Sequence, residues 1–286
     1  MVSLSAIQLC SKPNVEKNLN TIDTFLKALP ESDEHIVVLP ECCLFFGGSE
    51  KDQLNLAKEN YISNFTVNGL SALAKKYHVC LVAGSVPLLV ENETSRDEKP
   101  IDKFTNSSLV FSPDGELIQR YDKIHLFDAK VSDGQKQYLE STYTQGGDKL
   151  SIAVTESANI GLSICYDLRF PELYRQLRLL GADIITVPSA FTATTGKAHW
   201  QALLQARAIE NQVYIIAAGQ QGIHENGRET WGHSMIISPW GEIQACVPDG
   251  EGIITTTYSS EALAKVRQAM PVIEHNKFTS KLTSHE

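Results

Sequence analysis

The chain of 286 residues is 42% hydrophobic and 21% charged, the profile of a folded globular protein and not of a disordered or fibrous one. With 25 Lys and Arg against 34 Asp and Glu its formal net charge is -9, which excludes a general attraction for nucleic acid or an anionic membrane surface. No apolar run reaches the roughly 18 residues of a membrane helix, and the N-terminal MVSLSAIQLCSKP lacks the basic start and long apolar stretch of a signal peptide.

Short apolar runs rich in Val and Ile, bounded by Gly, Pro, Asp or Asn, predict strands along the chain. LSAIQLC comes first. NVEKNLNTIDTFLKAL follows, with Val15, Leu19, Ile22, Phe25, Leu26 and Leu29 on one helical face and Asn14 as N-cap. HIVVLP then leads into Glu41, Cys42 and Cys43. TVNGLSALAKKYH predicts a second helix, and VCLVAGSVPLLV and SSLVFS predict further strands. Between them ENETSRDEKP (Glu91 to Pro100) is the one highly charged tract and reads as a solvated loop. SPDGE at Ser112 to Glu116 is a turn signal, and RYDKIHLFDA brings Lys123 in behind strand-like residues.

The second half repeats the alternation. IGLSICYDLRFPELYRQL predicts a strand, then Cys165, then a helix with Pro171 in its first position and Gly181 as its stop. ADIITVP, the helical KAHWQALLQARAIEN, and the strands QVYIIAAG, HSMIISP and GIITTTY complete it. After about Ser260 the periodicity fades, which predicts an arm or tail able to dock on a partner subunit. The pattern is β-α-β-α, a β-rich middle, then β-α-β-α-β-β, with no repeat or linker. It predicts one α/β domain over 1–286 with helices outside two sheets. The six cysteines (Cys10, Cys42, Cys43, Cys80, Cys165 and Cys246) are sparse and scattered, as expected of reduced thiols in a cytoplasmic protein.

Three residues at predicted strand ends carry reactive groups. Cys165 sits where open α/β sheets place their ligand crevices; taken alone, it reads somewhat more readily as a buried structural thiol. Its ordinary pKa of about 8.5 requires a neighbouring base or cation for nucleophilic work. Lys123 can donate to a developing oxyanion, although its local sequence alone reads as an exposed turn lysine. Glu41 needs a partner such as a lysine if it is buried; the alternative is a solvent-facing strand end.

Together, LPECC, YDKIHLFD and ICYDLRFPEL resemble the nitrilase superfamily of carbon–nitrogen hydrolases, in the order Glu, Lys, Cys and from Ser3 to about Phe278. The resemblance implies a four-layer α-β-β-α sandwich. It implies Glu41 as general base, Lys123 and the Tyr166 N–H as oxyanion donors, Cys165 as nucleophile, and Glu140 in YLESTYTQGGD as a second acid at the site. No metal or organic cofactor is implied, and the sequence has neither HExxH nor a CxxC pair. PSAFTATTGKAHWQALLQARAIENQVYIIAAGQ and WGHSMIISPWGEI resemble the amidase branch, most closely its deaminated glutathione amidases, with omega-amidases sharing much of the pattern. The implied substrate is a small-molecule amide, and the implied assembly is a homodimer paired through helices near the nucleophile. Phe191, Thr192 and Thr195 are expected to line the pocket. Arg169 is expected either to meet a substrate carboxylate or, by slight preference, to pair with Asp167 and Glu172. His199 is a further substrate-binding candidate that reads more readily as packing, and His233 reads as a strand histidine.

Overall fold

The computed structural model describes residues 1–90, 102–131 and 137–283, so the loop expected at Glu91 to Pro100 lies outside the described residues. The strand-like runs assemble into two main sheets. The first runs Gly252–Tyr258, Val2–Gln8, Glu34–Val38, Cys80–Val82, Phe104–Phe111, Val86–Leu89, with Leu117–Asp122 also paired to Phe104–Phe111. The second runs Ile243–Cys246, Met235–Ile237, Tyr214–Ala217, Ile184–Thr186, Asn159–Leu162, Ile152–Val154. Three neighbouring strands in the middle of each sheet are parallel, and antiparallel strands flank them.

These central strands read as continuous apolar runs because both of their faces are covered. Ile36, Val38, Cys80 and Val82 point into one core cluster, and Val37, Leu39, Leu81 and Ala83 point into another. The second cluster is closed by Ile22 and Leu26 of helix Val15–Lys27 and by Leu70, Leu73 and Ala74 of helix Phe65–Tyr77. The first cluster continues through the other sheet to Leu173, Tyr174 and Leu177 of helix Pro171–Leu179 and to Trp200, Leu204 and Ala208 of helix Ala193–Asn211. Strand Val2–Gln8 packs on Tyr214–Ala217 and Met235–Ile237, so the two sheets lie face to face. The result is the expected α-β-β-α sandwich.

The helix boundaries follow local chemistry. Asn14 accepts from the Lys17 N–H at 2.9 Å, Pro171 opens its helix, and Gly181 ends it with φ +101°. Three features depart from the sequence reading. Glu50–Ser63 is an additional helix, nucleated by a capping box between Ser49 and Asp52. Helix Ala193–Asn211 starts four residues before KAHW, where Thr192 accepts from the Thr195 N–H. The chain past Ser259 does not lose helical order at once: Ser260–Ala269 is a helix with Leu263 buried. Among the described residues no helix is long and apolar enough to cross a membrane, and the six cysteines are unpaired.

Candidate active site

Glu41, Lys123 and Cys165 each follow a strand, and the stacking of the two sheets brings these strand ends together. Glu41 comes after Glu34–Val38, in a turn where Cys42 adopts φ +54°. The segment around Gly84 passes directly beneath this turn: a Cβ on Gly84 would stand 1.9 Å from Pro40 O, and its φ is +49°. The Cys42 N–H donates to Ser85 Oγ at 2.9 Å, and Gln220 Nε2 donates to Glu41 O at 3.0 Å. The turn is therefore fixed from both sheets before its side chain is considered.

The Glu41 carboxylate is 5% exposed, and donors occupy both of its oxygens. Oε1 accepts from Lys123 Nζ at 2.8 Å and Asn106 Nδ2 at 3.0 Å; Oε2 accepts from the Ala190 N–H at 2.9 Å. Lys123, 2% exposed, also reaches Glu140 Oε2 at 2.8 Å and Oε1 at 3.0 Å. Glu140 is held in turn by the Phe127 N–H at 2.7 Å and by Asn106 Nδ2 at 3.3 Å. A buried ammonium between two carboxylates with further donors meets the condition for keeping charge inside a protein.

Cys165 opens a short 3-10 turn, Cys165–Arg169, with φ +48°, a backbone state that non-glycine residues occupy only under constraint. The constraint comes from two places. The Cys165 N–H donates to Pro188 O at 2.8 Å. Asp167, fully buried, accepts from the Ile164 N–H and Tyr121 Oη on one oxygen and from the His125 N–H and Nδ1 on the other. Tyr121 and His125 flank Lys123, so one carboxylate joins the Cys165 turn to the lysine loop.

The electrostatics assign each group its resting state. Burial would raise the Glu41 carboxyl, but the charge and hydrogen bond of Lys123, helped by the Cys165 thiol, hold it below its ordinary 4.5. Burial would lower Lys123, but the charges of Glu140 and Glu41 push it well above 10.5. Burial, and then the Glu41 charge, push the Cys165 thiol up against the opposing pull of Lys123. The site at rest thus holds a carboxylate, an ammonium and a neutral thiol. Cys42 and Cys43 are neutral thiols as well. Burial pushes Cys43 up to about 12 and Cys42 well above its ordinary value, and Cys43 Sγ faces Ala83 O at 3.4 Å.

A cavity of about 360 Å³ opens on this cluster, lined by Glu41, Lys123, Glu140, Cys165 and Asn106 together with Arg228 and other residues. A smaller one adjoins it at Cys165, lined by Tyr166, Arg169, Phe191, Thr192 and Thr195 among others. The candidates Phe191, Thr192, Thr195, Arg169 and Tyr166 therefore all share a cavity with Cys165. His199 does not: it is exposed, lines neither cavity, and its Nδ1 lies 3.3 Å from Arg169 Nη1. Arg169 forms none of the expected pairs with Asp167 or Glu172. Asp167 is turned inward to Tyr121 and His125, and the Arg169 guanidinium lies over the Phe191 and Tyr166 rings at 5.3 and 5.9 Å. His233 is not within a strand; it follows Glu229–Trp231 with φ +52° and stacks on Trp231.

Sequence reasoning missed Asn106, Glu50 and Arg228. Asn106 had a signal, a carboxamide within the fully buried strand Phe104–Phe111. Among the described residues no group of three His, Cys, Asp or Glu could hold a metal ion.

A carbon-nitrogen hydrolase family model matches residues 3–268. A deaminated glutathione amidase from Yersinia enterocolitica is 41% identical over 98% of this chain and 94% of its own length. An omega-amidase from Xenopus tropicalis is 35% identical over 94% of this chain and 92% of its own. The crystal structure of the NitFhit protein of Caenorhabditis elegans superposes with a TM-score of 0.84 at 32% identity, covering 96% of this chain, which spans 65% of that longer protein. A match across nearly all of the sandwich, including every strand end that bears Glu41, Lys123 or Cys165, leaves one conclusion: the chain belongs to the carbon–nitrogen hydrolase family.

Proposed function

We propose that the chain is an amidase that cleaves deaminated glutathione to 2-oxoglutarate and cysteinylglycine, using Glu41, Lys123 and Cys165. The observation that carries the mechanism is the pairing of an ionised Glu41 with a neutral Cys165 thiol beside the Lys123 ammonium. A neutral thiol needs a base at the moment of attack. Glu41 takes the thiol proton as the sulfur bonds to the amide carbon, and the carbonyl oxygen becomes an oxyanion. Lys123 and the Tyr166 N–H stabilise it; one such donor is worth roughly 3 kcal/mol by analogy with other oxyanion holes. Collapse of the intermediate breaks the C–N bond, and protonated Glu41 gives its proton to the leaving amine. A water activated by Glu41 then hydrolyses the thioester and returns the proton to sulfur. Glu140 acts through Lys123. Its oxygens are already engaged by Lys123, Asn106 and the Phe127 N–H, which supports a positioning role over a second base.

The substrate reading rests on the 41% identity to the Yersinia protein. The second reading, an omega-amidase acting on 2-oxoglutaramate or another small ω-amide or nitrile, rests on the 35% identity to the Xenopus protein. Parallel assays of the purified chain decide between them: cysteinylglycine release from deaminated glutathione, against ammonia release from 2-oxoglutaramate. Cys165→Ala abolishes turnover on this mechanism, whereas Cys42→Ala and Cys43→Ala retain it; full turnover by Cys165→Ala refutes it.

The same reading makes the chain a single catalytic domain that works as a homodimer through helices Pro171–Leu179 and Ala193–Asn211. Exposed Leu179 and Ile209 on those helices, with Leu180 capping the first, support it. The tail reaches the same helix, where Gln176 Nε2 donates to Ser280 O at 2.9 Å. Six unpaired thiols support a reducing, cytosolic setting. Light scattering of the purified chain tests the dimer.

A further inference from the structure

The wall of the larger cavity carries five charged residues: Glu41, Glu50, Lys123, Glu140 and Arg228. The charge of Lys123 is already shared by two carboxylates at 2.8 Å. Three carboxylates outnumber two cations on this wall, so Arg228 is the group there that can favour an anionic substrate.

Arg228 differs from Lys123 in having no carboxylate of its own. Among the described residues it forms no ion pair. Nη2 donates to Ala190 O at 2.7 Å, and Nε is buried without a partner. The guanidinium carbon lies 5.1 Å from the Phe46 ring centroid and 5.0 Å from that of Tyr138. Ring faces attract the cation without using its N–H groups. The arrangement holds the guanidinium in place and leaves Nη1 without an acceptor among the described residues, so a ligand that accepts from it gains a hydrogen bond. The acceptor that best fits a planar guanidinium fork is a carboxylate. Arg228 also borders the smaller cavity, as Cys165 and Ala190 do, so it faces whatever is bound at the nucleophile.

We propose that Arg228 is the specificity-determining residue of this site and recognises a carboxylate on the acyl part of the amide substrate. This rests on the amidase reading above and extends it to the residue that reads the acid's charge. The competing role is purely structural: Arg228 holds Ala190 O, and the Ala190 N–H holds Glu41.

The test reads Cys165 alkylation by peptide mass spectrometry, which needs no knowledge of the natural amide. Wild-type, R228Q and R228K are treated with neutral iodoacetamide and with anionic iodoacetate. Iodoacetamide labelling is then repeated with glutarate, a dicarboxylate of the size of the acyl group, as protectant. Recognition by Arg228 predicts that R228Q slows iodoacetate at least tenfold while iodoacetamide changes less than threefold. It also predicts that R228Q needs at least tenfold more glutarate for half-protection, with R228K in between. Equal slowing of both reagents, no change in their ratio, or a wild-type site that glutarate does not protect would each overturn the proposal. If deaminated glutathione is not cleaved but these ratios hold, the substrate assignment fails and the carboxylate site stands.

Discussion

Asp167→Asn is the sharpest probe of how the site is held together. The wild-type carboxylate accepts four hydrogen bonds: from the Ile164 N–H at 2.8 Å, Tyr121 Oη at 2.7 Å, the His125 N–H at 3.1 Å and His125 Nδ1 at 2.7 Å. That fills the acceptor capacity of a carboxylate. Asparagine keeps the shape but has one carbonyl and one NH2. With the NH2 toward Tyr121, the hydroxyl can turn, but the Ile164 N–H then faces a donor. With the NH2 toward His125, the ring can change tautomer, but the His125 N–H is stranded. Either orientation leaves one buried backbone donor unpaired and removes charge assistance from the rest, a loss of about 2–4 kcal/mol. The same change loosens the link between the Cys165 turn and the Lys123 loop, and a misplacement of ~1 Å can cost about 10²-fold in rate. The expected result is a lower urea midpoint together with a kcat reduced by about two orders of magnitude. An unfolding free energy within about 0.5 kcal/mol of wild type, with kcat unchanged, would refute the idea that Asp167 aligns the two loops.

Glu41→Gln keeps acceptors for Lys123 and Asn106 but cannot take the thiol proton, so kcat should fall by roughly 10²–10⁴; a loss below tenfold in single-turnover measurements would contradict a general-base role. Glu50 is exposed at the cavity mouth, yet enclosure of its carboxyl there and repulsion from Glu140 raise it from 4.5 to about 7. The folded state therefore retains this proton between those values, so Glu50's contribution to stability declines as pH rises through that window, and negative charge appears at the mouth as pH passes about 7. For an anionic amide, kcat/KM should fall above that pH in wild type and stay flatter in Glu50→Gln; matching pH profiles would exclude the effect. Gly84→Ala places a Cβ 1.9 Å from Pro40 O at φ +49°. It should destabilise by about 3 kcal/mol or more in urea and displace the Glu41 turn; wild-type stability would mean the strand ends shift at little cost.

What the sequence revealed, and what it hid, follows the range of each signal. Glu41, Lys123 and Cys165 were legible only together, through the resemblance that their three segments carry in that order; taken singly, each read as readily as a structural residue. The layers were legible because buried parallel strands leave unbroken apolar runs. The helix Glu50–Ser63 was not, since its buried positions are Leu54, Leu56, Ala57 and Asn60, a weak stripe with an amide in it. Helix Ser260–Ala269 buries only Leu263, so the end of the chain gave almost no periodicity to read.

The harder cases are those in which a residue's partner lies far along the chain. Arg169 stands two residues from Asp167 and three from Glu172, and sequence proximity favours a local ion pair. The structure reverses that expectation: next to the left-handed backbone at Cys165, Asp167 is turned into the core, where Tyr121, His125 and the Ile164 N–H fill its acceptor capacity. Asn106 has the same character: its amide spans Glu41 and Glu140, 65 and 34 residues away. Residues that perform a reaction can be marked by the segment around them. Residues that orient those groups are defined by contacts between segments, and these exist only after the two sheets have stacked.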